Sequence, residues 1–369
     1  MKRAIIAALA LCLLASISAW AVQQPRVGRI DYVEGGVSIS RAGKTIASPN
    51  IDDVLQSGDL VKTAGDGRLV IAFDKNTGMN GTLTVNARTS LYLKLESFKG
   101  QPKTSIDLLA GSLGSKVAKI AGTPAMAVQT SGTVMGVRGT EYEVAVSVNE
   151  SILVTCAEGQ VYCDDGKGEF PVPAGKVAEK RSGEKLRYLP VAVSSVREFR
   201  QKWLADEIGA FRADPGRALA DFEKRYTKLA SQFSSDFGPF QKSAVLKKWL
   251  DEDRSGAKVN PMDPANLRDK KEMASHLLKL RKTLFVFERV YYRVDEVLAI
   301  VEGTPAERRE LRPGLTAGDF LRRVKAERDQ LARNTALFRY AESLYASRNP
   351  DGEFIGEGGD DGFFGDEDF

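Results

Sequence analysis

Histidine is almost missing from this chain: His276 stands alone among 369 residues. Without a second imidazole, no Ser-His-Asp or Cys-His nucleophile system can be assembled except around that residue. It lies one position before Leu277, an apolar seam position, so it reads as a side chain flanking a helix. Cysteine is nearly as scarce, with Cys12, Cys156 and Cys163 the only three, and an ordinary His/Cys zinc set cannot be built from them. No phosphate-cradling loop is encoded, since Gly132 to Gly139 leads into an alternating strand pattern and no Gly-Lys-Ser/Thr ending occurs. Asp164-Asp165, with glycines at 166 and 168, lacks the alternating oxygen ligands of an EF-hand and reads as a turn. The expectation is a non-enzymatic protein with no catalytic residue, no cofactor, no metal ligand and no evident small-molecule substrate. The many carboxylates keep a carboxylate-dependent hydrolase as an alternative, although nothing in their spacing brings two of them together.

Long apolar runs are also lacking after the first twenty-one residues, so no later stretch is long enough to span a bilayer. The N-terminus itself has a basic start (Lys2, Arg3), an apolar run from Ala4 to Ile17 and an Ala19-Trp20-Ala21 site. Residues 1–21 therefore read as a signal peptide cleaved after Ala21, which predicts an exported, periplasmic or otherwise extracytoplasmic protein. Residues 22–349 carry 51 basic against 41 acidic side chains, whereas residues 350–369 carry eight acidic ones and no basic one. A moderately basic body, with its charges interleaved, meets an acidic Gly/Phe tail that lacks any apolar period and is expected to be disordered. Phe363, Phe364 and Phe369 are unusual in such a tail and are candidates for docking into a partner's apolar groove.

From residue 22 to 189 the chain is a succession of short alternating runs broken by glycine and aspartate, among them Val27 to Val33, Leu60 to Thr63, Leu69 to Phe73 and Leu91 to Leu95. Many short strands at near-regular spacing indicate a β-sandwich or a solenoid-like sheet. In the centre, Tyr142, Val144, Val146 and Val148 alternate with Glu141, Glu143, Ala145 and Ser147 after a glycine-punctuated segment. The alternation resumes around Gly159-Gln160, a pair suited to a two-residue type II′ turn. A three-stranded meander is the simplest reading. It sets Cys156 opposite Cys163, which makes the two a candidate disulfide in an oxidising compartment.

AVQTSGTVMGVRGTEYEVAVSV, followed by VTCAEGQV, resembles the core signature of the FecR-type domain, in which a Thr-rich strand, a V-R-G-T-E-aromatic turn and an E-G-x-V hairpin recur in this order. The likeness extends upstream through VGRIDYVEGGVSISRAG, LQSGDLVKTAGDGRLVIAF, LYLKL and IDLLAGSL, and covers roughly residues 27–181. It implies a twisted, solenoid-like β-domain in a family that includes periplasmic regulators of iron-uptake genes. Regulatory members carry a cytoplasmic segment that engages a sigma factor and then a transmembrane helix. This chain departs from that design, since only three residues precede the apolar run and the run has the form of a cleavable leader; a membrane-tethered sigma regulator is kept as an alternative reading. Gly136, Arg138, Gly139, Thr140 and Glu141 form the signature turn and are read as structural: the glycines allow close backbone approach or a bulge, and Arg138 bonds nearby carbonyls or a carboxylate.

Near Pro190 the period changes from 2 to 3.6, and residues 190–349 are expected to form an all-α domain. Ser195 and Glu198 make a capping-box pattern ahead of Phe199, Trp203, Ile208 and Phe211, and Asp214-Pro215 opens a second helix. Met273, Leu277, Leu280, Leu284, Phe287, Tyr291, Val294, Leu298 and Val301 alternate in steps of four and three, a heptad seam predicting one long coiled-coil-like helix. A second long helix, from about Gly318 to Ser347, is expected to fold back on it as an antiparallel hairpin. The seam serves intramolecular packing or a second copy of the chain. The combined reading is an envelope scaffold or signal-relay module whose partner is another envelope protein. Binding of an anionic glycan such as peptidoglycan is an alternative, and no nucleic-acid contact is expected.

Overall fold

In the computed structural model, residues 25–41, 44–98, 101–118, 126–137, 139–191, 196–260 and 262–349 are described. The proposed signal peptide, Arg138, Ser195 and the acidic tail with Phe363, Phe364 and Phe369 lie outside them.

Among the described residues, seventeen strands build two stacked sheets that share one strand and do not close into a barrel, and a short separate pair joins Glu310–Arg312 to Leu315–Thr316. The strands are β1 (Arg26–Glu34), β2 (Val37–Arg41), β3 (Lys44–Ile46), β4 (Val54–Gln56), β5 (Leu60–Thr63), β6 (Arg68–Phe73), β7 (Gly81–Val85), β8 (Ser90–Phe98) and β9 (Gln101–Val117). They continue with β10 (Met126–Gln129), β11 (Val134–Val137), β12 (Glu141–Val146), β13 (Ile152–Glu158), β14 (Gln160–Asp164), β15 (Glu169–Pro173), β16 (Lys176–Lys180) and β17 (Arg187–Leu189). One sheet runs β4-β1-β6-β7-β9-β12-β13-β16-β17. The other runs β3-β2-β5-β8-β9-β10-β11-β14-β15, with β9–β10 its one parallel pair among the described residues.

Strand β9 belongs to both sheets: residues up to Ala110 pair with β8, and those from Gly111 onward pair with β7 and β12. The bend falls on Gly111, at φ +86°, where a Cβ would stand 2.5 Å from the Arg88 carbonyl oxygen and from Thr89 Oγ1. Only glycine fits such a backbone under that contact. Alternate residues from both sheets, including Ile30, Ile71, Leu93, Ile106, Val144 and Val154, point inward and form one continuous core. That is the outcome the period-2 pattern calls for.

The meander read from sequence is corrected. Strands β13 and β14 are not paired with each other: β13 lies between β12 and β16, and β14 between β11 and β15, in the other sheet. Gly159 is therefore a corner at which the chain changes sheets. Gly139, at φ +60°, is a second such corner, between β11 and β12. The two corners touch, because a Cβ on Gly159 would lie 2.5 Å from Thr140 Cγ2 and 2.6 Å from the Gly139 carbonyl oxygen.

The helices are α1 (Val196–Ala213), α2 (Pro215–Gln241), α3 (Ala244–Ser255), α4 (Pro264–Tyr291), α5 (Val294–Val301) and α6 (Ala317–Ser347). Asp214, Ser243, Asp263 and Thr316 cap α2, α3, α4 and α6 through side-chain oxygens that accept backbone N–H bonds, as the first turn of a helix requires. The fold-back of α6 on α4 is antiparallel, since Lys270 meets Arg348, Arg281 meets Glu342, and Tyr291 meets Arg328. The seam residues from Met273 to Tyr291 are buried in a core shared with α2 and α6. The predicted single helix through Val301 is interrupted at Tyr292-Arg293, where Arg293 turns toward the sandwich.

Replacing Gly159 by alanine is expected to lower stability by about 1–3 kcal/mol, because the backbone is left-handed and the corner is closed. Gly136→Ala serves as the contrast: its Cβ would meet nothing nearer than the Tyr162 carbonyl oxygen at 3.9 Å, and it should be nearly neutral. Denaturant titration of the two variants checks the difference.

Candidate functional site

Two features meet where the helices dock on the sandwich: a buried seam of charges and, beside it, an open cleft.

The seam rests on consecutive helix residues, Glu288 and Arg289, both buried against the outer face of β8 and β9. Tyr92 on β8 donates its hydroxyl proton to Glu288 Oε1 (2.9 Å), and the other oxygen of Glu288 accepts from Arg339 of α6 (2.8 Å), whose guanidinium also lies 4.7 Å from the centre of the Tyr92 ring. On β9, Asp107 pairs with Lys94 at 2.6 Å and faces Arg289 at 3.9 Å. Burial opposes ionisation of Asp107, yet Lys94 and Arg289 hold its carboxyl below the usual range. Burial likewise pushes the Arg289 guanidinium down against the pull of Asp107 and Glu288.

Farther along, Arg293 enters the β12–β13 loop. Its Nε donates to the Arg289 carbonyl (2.8 Å), Nη1 to the Val148 carbonyl (3.3 Å) and Nη2 to Glu150, which Arg225 of α2 also holds at 2.7 Å. Burial disfavours the charged form of Glu150, but the two arginines win and its carboxyl is lowered. The same loop is gripped by α1, with Ser147 donating to Glu207 at 2.8 Å and Asn149 to the Glu207 carbonyl at 2.8 Å.

The break after α4 starts α5 along the rim of a cleft of about 600 Å³ between β2, β5, the turns around Ala64 and Arg88, and α5. Lys62 Nζ reaches Asp295 at 3.2 Å and lies 5.5 Å from the centre of the Tyr292 ring. Asp295 is also held by Arg328. Burial alone would raise its carboxyl, but Lys62 and Arg328 bring it below the usual range. Its neighbour Glu296 has no such partner. Burial pushes it up to about 7, against weaker opposing pulls from Arg293 and Arg88. Arg88 stands across the cleft in a left-handed conformation, φ +53°, its N–H bonded to the Ala64 carbonyl at 2.9 Å.

A carboxyl that titrates near neutrality is the kind of group that general acid–base chemistry uses. Asp295, however, is the next residue on the same helical turn and is occupied by two cations, so the two acids do not flank a common bond. The arrangement is suited to recognition: a wall of mixed charge, one aromatic ring and exposed backbone, drawn from both halves of the protein.

The residues singled out by sequence lie elsewhere. Thr140 is buried and its carbonyl accepts from Val117 at 3.1 Å, while Glu141 pairs with Lys116 at 2.7 Å on the surface and opens a bulge opposite β13. Gly136 lies within β11 and Gly139 at the corner. Cys156 and Cys163 are buried free thiols on strands of different sheets, both facing the core. Their expected opposition across a hairpin fails because the hairpin does not exist, and no disulfide joins them. Burial pushes the Cys163 thiol up to about 12. His276 is half-buried, 6.4 Å from the Phe240 ring, and Asp164 and Asp165 accept from the backbone of Gly166 and Lys167, as a turn does. Among the described residues no cluster of His, Cys, Asp or Glu forms a metal site. No helix among them is long and apolar enough to cross a membrane. Glu296 was missed by sequence reasoning, and the one signal it offered was an acid in the otherwise apolar run VDEVLAIV.

The pH dependence follows from the signs. Below pH 4.5 Glu296 is protonated in folded and unfolded chains alike. Between 4.5 and about 7 the unfolded chain releases that proton and the folded one does not, so stability falls as pH rises, by on the order of 3 kcal/mol, and then levels off. Asp107, Glu150 and Asp295, all lowered, act oppositely, and their contribution is lost as pH falls through the acid range below their usual values of about 4. Glu296→Gln is expected to flatten the decline between pH 4.5 and 7 and to leave the acid limb unchanged, measured by denaturant titration across that range.

Residues 59–162 match the family model described as FecR protein. No curated protein matches the sequence. Among solved structures, a proposed anti-sigma factor from Parabacteroides distasonis ATCC 8503, at 1.65 Å, is 13% identical over 38% of this chain and 64% of its own, with a TM-score of 0.31. A structure of a proposed anti-sigma factor from the same organism, at 2.50 Å, is 14% identical over 38% of this chain and 58% of its own, with a TM-score of 0.26. The chain thus spans less than two thirds of the length of the structures it matches. The stretch that matches the FecR model runs from the buried Asp59, just before β5, to Tyr162 on β14.

Proposed function

We infer that the protein is a non-enzymatic signal-relay module of the cell envelope, in which the cleft between the FecR domain and α5 receives another envelope protein. The observation that carries this reading is the cleft's shared ownership. Lys62 and Arg88 stand on the sandwich, and Asp295 and Glu296 stand on a helix that exists as a separate element because Arg293 anchors the preceding turn to the β12–β13 loop. A partner seated there touches both halves at once, so its binding energy can bias how they dock. The FecR match supports a relay role, and the basic start, apolar run and Ala-Trp-Ala site of residues 1–21 support export.

The test places a photo-crosslinking amino acid at Ala299, on the cleft rim, and for comparison at Asn76, on the turn between β6 and β7, in cells producing the full chain. A discrete protein adduct formed from position 299 and not from position 76 is expected, reduced by Arg88→Glu. Identical adducts from both positions, or none from either, overturns the reading. Salt-sensitive co-sedimentation of the protein with purified peptidoglycan, in the absence of a protein adduct, would favour glycan binding instead.

A further inference from the structure

The exposed face of α4 carries four cations that form no ion pair among the described residues, and the acid at its edge, Glu272, accepts from Ser243 Oγ at 3.1 Å. Arg268, Lys271, Lys279 and Lys282 are all exposed, and with the exposed Ser275 they are spaced by three, four, four and three residues. At 3.6 residues per turn that spacing is a single stripe. None of the four has an ion pair or hydrogen bond among the described residues, although Lys248, Arg254, Arg281 and Arg339 nearby are all paired with acids.

The chain leaves its last described residue beside this stripe. The Arg348 carbonyl accepts from Lys270 Nζ at 3.2 Å, and Asn349 closes the end of α6. On the helical wheel of α4, Leu267 and Leu278 fall between Lys270 and the basic stripe. Leu267 is 46% exposed and Met262, just before the helix, 69% exposed. Beyond Asn349 come twenty residues with acids at Asp351, Glu353, Glu357, Asp360, Asp361, Asp366, Glu367 and Asp368, with Phe354-Ile355 and Phe363-Phe364 between them.

We propose that residues 350–369 dock along this face of α4, with acids on the Arg268–Lys282 stripe and Phe354-Ile355 on Leu267 and Met262. The reach is sufficient. Five residues from Asn349 to Phe354 span up to about 17 Å, enough to pass from Lys270 around to Leu267, and the whole segment extends to roughly 65 Å. The stripe itself is only about 21 Å long, fourteen residues at about 1.5 Å each. Opposite charge supplies the attraction, and the apolar pair at the near end sets the register. The docked segment then acts as a built-in occupant of this unpaired positive face, shielding it from other polyanions.

Lysine acetylation followed by mass spectrometry reads this directly. In the full chain at low salt, Lys271, Lys279 and Lys282 are expected to react severalfold more slowly than in a chain ending at Asn349. Lys44, exposed on β3, should be unchanged. The protection should vanish in 1 M salt, where the screening length falls to about 3 Å. Equal rates in the two chains overturn the proposal. A second measurement leaves the chain length intact: a photo-crosslinker at Phe354 should join the peptide 262–282 of the same molecule. Adducts to any other segment, or between isotopically distinct copies mixed before irradiation, overturn it.

Discussion

The structure depends on placing Glu288 and Arg289, neighbours on one helix and opposite in charge, against a sheet face that answers each of them. Tyr92 and Arg339 take Glu288, and Asp107, already neutralised by Lys94, faces Arg289. Removing these groups from water is costly, and leaving one without its partner typically costs about 3–5 kcal/mol. A slide of α4 by one residue would set like charges against each other, so the seam fixes register more than it adds stability. Arg289 retains Nε and Nη2 without hydrogen-bond partners, which fits a contact selected for orientation and not for maximal bonding.

The same docking accounts for the rest of the site. Continuing α4 past Tyr292 would carry Arg293 away from Val148 and Glu150. The chain gives up the helical geometry there and restarts as α5, whose first turn brings Asp295 to Lys62 and leaves Glu296 partly buried without a cation in contact. The cleft is thus a by-product of how the helices are anchored. Glu296, the group in it raised to about 7, owes its behaviour to burial between sandwich and helices.

Much of the fold was legible in the residues, and the failures share a cause. Alternation marked β1, β5, β6, β8 and β12 correctly, because one-sided burial imposes period 2, and caps such as Asp214-Pro215 marked helix starts. Alternation says which side of a strand is buried, but it is silent on which sheet the strand joins. Gly159-Gln160 fits a tight turn and a sheet-changing corner equally well, and choosing the turn misplaced Cys156 and Cys163 together. The heptad from Met273 to Val301 was read as unbroken because the forces that interrupt it come from residues 148 and 150. The cleft was invisible for the same reason, since Lys62 and Arg88 lie more than two hundred positions from Asp295 and Glu296.

One pattern that was present points to how far the stretch matching the FecR model depends on its surroundings. Strand β13 begins Ile-Leu-Val-Thr-Cys, five consecutive buried residues and no alternation, which is the mark of a strand covered on both faces. Its inward side fills the sandwich. Its outward Leu153, with Ala145 and Val177 on neighbouring strands, packs under Trp203 of α1, whose indole donates to the buried Glu179 at 2.7 Å. On the opposite sheet Leu60, Tyr92 and Leu109 are covered by Tyr292. Helices therefore seal both outer faces of the double sheet where a free-standing sandwich would carry polar residues. The stretch recognisable as FecR is a recurring framework, but the unit that buries its own apolar surface is the framework with its helices. A change in how those helices sit is then felt on both sheets, which is the physical condition for a contact at one face to be read at another.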